Sequence, residues 1–259
     1  MTFRTGPGRR NAQPGHAAPG APSARRVQTP FTTLCDCLAL PPQATTGSGR
    51  PPLLVVLHGQ GQSGARQARW MGPAVPPGFA SAFPDGFHAH EVRKPDRKPR
   101  LGYGWYLFTG DQQAFADSLA RSEEAFWRLV ETLHTELGSD PDRVYLAGFS
   151  QGCYLAHCVA VRSSECGPAP VKGWIGQSGR LKDEFLGAQL PSVAGRRVLV
   201  QHGRDDPATP VAFAERSARA LTDHGAEVDL RLYDAGHVIT PEMVADARAW
   251  LQAAEPDAG

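Results

Sequence analysis

No stretch of this 259-residue chain approaches the ~18 to 20 consecutive apolar residues that a membrane-crossing helix requires, so no span is predicted. The N-terminus also lacks the apolar core of a secretory signal. Residues 1–28 hold Arg4, Arg9, Arg10, Arg25 and Arg26 with no acid, among many prolines and glycines. Such a composition buries too little apolar surface to fold, and it shows none of the amphipathic period of an organellar transit peptide. It is predicted to be a disordered tail or a misassigned start, with residues 29–259 forming one domain.

Net charge is scarce too. Lys and Arg total 27 against 26 Asp and Glu, and the resulting +1 predicts no nucleic-acid partner. Five cysteines (Cys35, Cys37, Cys153, Cys158 and Cys166) are odd in number and form no C-x-x-C pair. That argues against a disulfide framework or zinc site and points to reduced thiols in a cytoplasm. The Gly-Lys-Ser/Thr of a phosphate-binding P-loop is missing. The charge present is unevenly spread: "EVRKPDRKPR", residues 91–100, is predicted to be a solvated surface loop.

What the chain does have is alternation. "LLVVLHG" (Leu53 to Gly59) is a short apolar run stopped by glycine, as expected of a strand buried on both faces. "FASAFPDG", "RVYLAG", "VKGWIGQSG", "RRVLVQHG" and "VDLRLYDAGH" repeat the pattern, and "FTTLCDCLAL" reads as an edge strand. Helical period runs from about Asp111 to Leu137, stopped by Gly138 and Pro141, and again over Val211 to Gly225 and from Pro241 onward. Strand and helix in turn predict one mostly parallel sheet with helices on both faces.

One strand-to-helix junction carries chemistry. "VYLAGFSQG" puts Ser150 on a sharp turn between Gly148 and Gly152, where larger residues would collide with a strained backbone. A helix beginning at Gln151 aims its N–H groups at any anion formed beside the serine. Ser150 is thus a candidate nucleophile, and a serine hydroxyl needs a base and an orienting acid. In this architecture they follow in the order Ser, acid, His. His237 lies in the loop after the last strand. His16 falls in the tail, His88 and His90 in the charged segment, His134 and His157 within helices and His224 at a helix end, while His58 and His202 brace strand ends. For the acid Asp206 is favoured, with adjacent Asp205 as the alternative. The oxyanion donors are predicted to be the backbone N–H groups of Gln151 and of Gln60, in the glycine-rich "LHGQGQSG". That loop also matches the dinucleotide pattern G-x-G-x-x-G, with Asp85 further on, but "ARQARWMGPAVPPG" after it is broken by Gly72, Pro73, Pro76 and Pro77.

Taken together, "LHGQGQSG", "GFSQG", "HGRDDPATP" and "AGHVITPE" resemble the phospholipase/carboxylesterase branch of the α/β-hydrolase superfamily over most of the chain from Leu53. The resemblance implies the α/β-hydrolase fold and sets Asp206, not Asp205, on the motif's aspartate. It also implies Gln60 N–H as a donor, and makes "GYGWYLF" around Trp105 the aromatic element near an acyl pocket. Cys153 stands where the family often has a second glycine, Thr209 where it has valine, and "WYLFTGD" departs from the thioesterases' W-F-D.

The sequence therefore predicts a serine hydrolase of carboxylic esters, acting through Ser150, His237 and Asp206 on a small-molecule ester, with no metal or organic cofactor implied. A thioesterase or lysophospholipase for long acyl chains is the alternative, and a non-catalytic binding protein on the same scaffold a more distant one. Trp105, Tyr103 and Phe108 are candidates for an acyl pocket or for plain core, and Ser178 for the site wall.

Overall fold

Leu53–Leu57, the strand β2, shows why a sheet forms the centre of the molecule. Its five apolar side chains are all buried, and successive residues face opposite ways. Leu53, Val55 and Leu57 enter one hydrophobic cluster, Leu54 and Val56 a second on the other face. Residues 34–44 and 49–256 are described by the computed structural model of the protein. The predicted tail, and residues 31–33 of the predicted first strand, lie outside them.

Six further strands extend this sheet: β1 (Cys37–Leu40), β3 (Ala80–Pro84), β6 (Val144–Phe149), β7 (Gly173–Gln177), β8 (Arg197–Gly203) and β9 (Glu227–Tyr233). Their order is β1-β3-β2-β6-β7-β8-β9, parallel throughout except for β1 against β3. From β2 the chain first steps outward to β3 and then returns to the opposite side at β6. The loops leaving β2 and β6 therefore diverge, opening the crevice in which parallel sheets place their reactive groups.

The larger cluster is covered by α2 (Gln112–Leu137), α3 (Gln151–Cys166), the short α4 (Asp183–Leu186) and α5 (Val211–Asp223), the smaller by α1 (Gly64–Met71) and α6 (Pro241–Ala254). Local signals set the ends. Asp111 accepts the Gln113 and Ala114 N–H groups at the start of α2, and Gly138, at φ 61°, ends it in the left-handed conformation. Thr240 caps α6, with Pro241 in its first turn.

The charged segment is a correction. Residues 91–100 are not an irregular loop but most of an antiparallel hairpin, β4 (His88–Lys94) with β5 (Arg97–Gly104). Lys94 pairs with Arg97 around a Pro95–Asp96 tip, and a register shift between Val92 and Lys94 lies across from Pro99. Proline is tolerated in so exposed a two-stranded ribbon, where no further strand needs its missing N–H.

Beneath the sheet, His157 of α3 is fully buried and accepts the Trp174 indole N–H at Nδ1 (3.0 Å). Burial lowers its pKa from 6.5 to about 4. Because the folded value is the depressed one, the stabilisation is complete above 6.5 and is lost as pH falls towards 4. It amounts to about 2 kcal/mol lost by pH 5. Thermal unfolding between pH 7.5 and pH 5 should show this decline, and His157→Gln, which keeps an acceptor for Trp174 but does not titrate, should flatten it.

Candidate active site

Ser150 sits at φ 52°, ψ −117°, between the end of β6 and the start of α3. For a residue with a side chain this is a strained backbone, costing about 1–3 kcal/mol. Its N–H is anchored on Gln177 O of the neighbouring strand (2.9 Å). The flanking glycines have steric reasons. A Cβ on Gly148 would strike the carbonyl of Gly152, and one on Gly152 would strike the carbonyl oxygens of Leu57 and His58. Cys153, fully buried behind the turn, is accommodated by glycines across from it: a Cβ at Gly179 would lie 2.7 Å from its Sγ and one at Gly176 3.1 Å.

His237 brings Nε2 to 3.0 Å from Ser150 Oγ and Nδ1 to 2.8 Å from Asp206 Oδ2. Its ring also packs on Phe149, with centroids 5.0 Å apart. The loops carrying the acid and the imidazole leave adjacent strands and are stitched together: Arg204 N–H donates to Tyr233 O (2.8 Å) and Asp205 N–H to Ala235 O (3.1 Å). Gly203 lets them close, since a Cβ there would meet the carbonyls of Ala235 and Gly236. Of the two adjacent acids, Asp205 is exposed and Asp206 buried. Burial alone would raise the Asp206 pKa. Hydrogen bonds from the Thr209 N–H, from His237 and from the Ala208 N–H outweigh it and hold the carboxyl below its usual range.

In the Gly59–Gln62 loop three N–H groups are already engaged. Gly59 donates to Gln62 Oε1 (3.2 Å), Gly61 to Tyr103 O (2.7 Å) and Gln62 to Gly59 O (3.1 Å). Among the described residues the Gln60 N–H has no acceptor, and neither has that of Gln151 at the head of α3. The two segments face each other, a Cβ on Gly59 lying 3.3 Å from the Ser150 Cβ.

Several braces escaped the sequence reading. The Gln151 side chain accepts the Trp105 N–H (2.9 Å) and donates to Tyr106 O (3.0 Å), clamping the segment after β5 to the first turn of α3. Trp105 and Ser178 are both fully buried. Trp105 donates its indole N–H to His58 O (2.7 Å), while Ser178 lies at φ 48° with its Oγ unpartnered among the described residues. Neither presents surface to a ligand, whereas Phe108 is exposed and Tyr103 half-buried. His58 and His202 do brace turns: His58 Nε2 accepts the Gly86 N–H (2.9 Å), and His202 Nε2 donates to Thr209 O (2.7 Å). Asp85 accepts the Gly64 N–H (2.6 Å), so the acid of the dinucleotide pattern is occupied in holding α1. No cluster of three or more His, Cys, Asp or Glu side chains is arranged to hold a metal among the described residues.

A sequence model of the phospholipase/carboxylesterase family matches residues 45–255. Acyl-protein thioesterase 1 of Gibberella zeae is 28% identical over 150 residues, which cover 52% of this chain and 62% of that protein. The Arabidopsis thaliana protein named "Probable carboxylesterase SOBER1-like" is 22% identical over 224 residues, 76% of each chain. Among solved structures, esterase PE8 superposes with a TM-score of 0.68 at 25% identity, covering 85% of this chain and 99% of the other.

The elbow makes a steric prediction. Gly152→Ala forces a methyl group onto two backbone carbonyls that cannot swing away, so it should cost about 2–3 kcal/mol and be read as a lower denaturation midpoint. Ala147→Gly, one residue before the elbow, introduces no clash and should cost only about 1 kcal/mol.

Proposed function

This chain belongs to the phospholipase/carboxylesterase family and has the α/β-hydrolase fold, and from that premise we propose that it is a serine hydrolase of carboxylic esters. The observation that carries the reading is the continuous hydrogen-bonded line Ser150 Oγ–His237–Asp206, at 3.0 and 2.8 Å.

As Ser150 Oγ attacks the ester carbonyl carbon, His237 Nε2 takes the hydroxyl proton. Asp206 holds Nδ1–H and balances the imidazolium. The negative charge gathering on the carbonyl oxygen is met by the N–H groups of Gln60 and Gln151, the second strengthened by the positive end of α3. Collapse of the tetrahedral species expels the alcohol, which leaves with the proton from His237, and an acyl group remains on Ser150. Water then attacks this acyl ester with His237 again as base, releasing the acid and restoring the serine.

A second reading, hydrolysis of acyl thioesters or lysophospholipids, is favoured by exposed apolar side chains in the segments that follow β5 and the proposed base. Val238 directly follows the proposed base, and Leu107 and Phe108 follow β5. Rates on p-nitrophenyl esters from C2 to C16 separate the two: a maximum at C2–C4 fits the ester reading, a maximum at C12 or beyond the second.

Ser150→Ala should abolish labelling by a fluorophosphonate probe and lower kcat for p-nitrophenyl acetate by at least about 10⁴-fold, with the melting temperature held. Asp206→Asn should lower kcat by about 10³- to 10⁴-fold, because an amide presents the wrong partner to Nδ1–H. Undiminished labelling of the Ser150 variant would overturn the assignment.

A further inference from the structure

The loop after β7 reads Arg180-Leu181-Lys182-Asp183-Glu184, two cations followed by two acids. Its charges do not simply cancel. Glu184 gives both oxygens to Arg180 (2.9 and 2.6 Å), while Asp183 is held by Arg216 of α5 (2.6 and 3.0 Å). Lys182 is left over. Among the described residues its ammonium has no ion pair and no hydrogen bond, so its three N–H groups are left to solvent or to a ligand. It rests instead on aromatic faces, 4.6 Å from the ring centroid of Phe115, 4.9 Å from Phe108 and 5.9 Å from Tyr154. Ring faces attract the charge without consuming its N–H groups.

The loop that carries this cation starts beside the proposed chemistry. Tyr154 is on the first turn of α3, about 6 Å along the axis from Ser150. Gly179 heads the same loop as Lys182, and a Cβ on it would lie 3.1 Å from Ser150 O. The Arg180 guanidinium stacks on Phe213 (5.1 Å), in the first turn of the helix that follows the Asp206 loop. Phe108 is 56% exposed, so one wall of the cage is open to solvent. Burial, and then the charge of Arg180, hold the Lys182 pKa below its ordinary value, and an arriving anion relieves both costs.

Resting on the reading of Ser150 as an esterase nucleophile, we propose that Lys182, backed by Arg180, is a specificity site for an anionic group, carboxylate or phosphate, carried by the substrate away from its scissile bond. The aromatic cage fixes the ammonium where a flexible lysine would otherwise roam, and the anion supplies the acceptor that the protein withholds. A neutral chain end leaves those donors desolvated and unsatisfied.

The test compares monoethyl succinate, glutarate and adipate with ethyl butyrate, valerate and hexanoate by pH-stat, in the wild type, Lys182→Met and Lys182→Arg. The best hemiester should exceed its neutral counterpart at least tenfold in kcat/KM. That ratio should fall towards one in Lys182→Met, be kept within about threefold in Lys182→Arg, and shrink with added salt. A preference for neutral esters, or a ratio indifferent to Lys182→Met, would overturn the proposal. Calorimetric binding in the Ser150→Ala background is independent of turnover. Monoethyl glutarate and its phosphonate analogue should bind at least tenfold more weakly once Lys182→Met is added, the tighter of the two identifying the anion. Equal binding with and without Lys182 overturns the site. Lys182-dependent anion binding without hydrolysis of any ester by the wild type would instead sink the esterase reading, and with it the role in ester selection, leaving Lys182 an anion site only.

Discussion

The positive φ at Ser150 is the constraint around which this molecule is arranged. Held alone, such a backbone would relax, because its cost of about 1–3 kcal/mol is a large share of a domain's net stability. It persists because the surroundings over-determine it. The serine N–H is tied to β7, α3 is buried along most of its length, and Gly148, Gly152 and Gly179 keep every neighbouring chain close. A second such turn lies next to it: the chain leaving β7 passes close to Ser150 O at Gly179, and Ser178, one residue earlier, lies at φ 48°. Two neighbouring strands thus end in strained serines, only the first of which lies within reach of an imidazole.

Around that turn, neutral groups do the positioning. Burying a charge costs several kcal/mol unless it is fully compensated, whereas a neutral imidazole or amide with both sides bonded costs little. His58 joins the Gly59 loop to Gly86, and Gln151 clamps Trp105 and Tyr106. The buried charge beside the imidazole is Asp206, and two backbone N–H groups and His237 share its carboxylate. Geometry is thereby fixed by dipoles that need no counter-ion, and charge is kept for the group that must answer an imidazolium.

Sequence made the strands, long helices and elbow legible because each has a local cause. Leu53–Leu57 is apolar on both faces, Gly138 and Pro141 stop a helix, and Gly148 and Gly152 have no alternative in so tight a turn. The β4–β5 hairpin was missed because its charge and its prolines at 95 and 99 mimic a solvated loop, and its strands owe their pairing to each other rather than to a buried face. Asp206 could not be separated from Asp205 by composition. What distinguishes them is a loop that turns one carboxylate inward, a three-dimensional fact that only the family motif encoded. Trp105 stays open between pocket and core for a similar reason: an indole looks the same in sequence whether it lines a cavity or donates to the buried carbonyl of His58.

Charge near the crevice comes from two places, and screening decides between them. From His88 to Gly104 the hairpin carries five cations (Arg93, Lys94, Arg97, Lys98 and Arg100) against Glu91 and Asp96, but it is exposed along most of its length. Exposed charges are damped by water and by salt over a Debye length of about 8 Å at physiological ionic strength. The hairpin can therefore hasten the approach of an anion without holding it in register. Lys182 is half-buried, seated on three rings and, among the described residues, without an ion pair, its neighbours Asp183 and Glu184 being paired with arginines. A charge so placed is screened less and moves less. For a substrate aligned on Ser150, that makes one seated ammonium a stronger selector than five exposed cations at the hairpin.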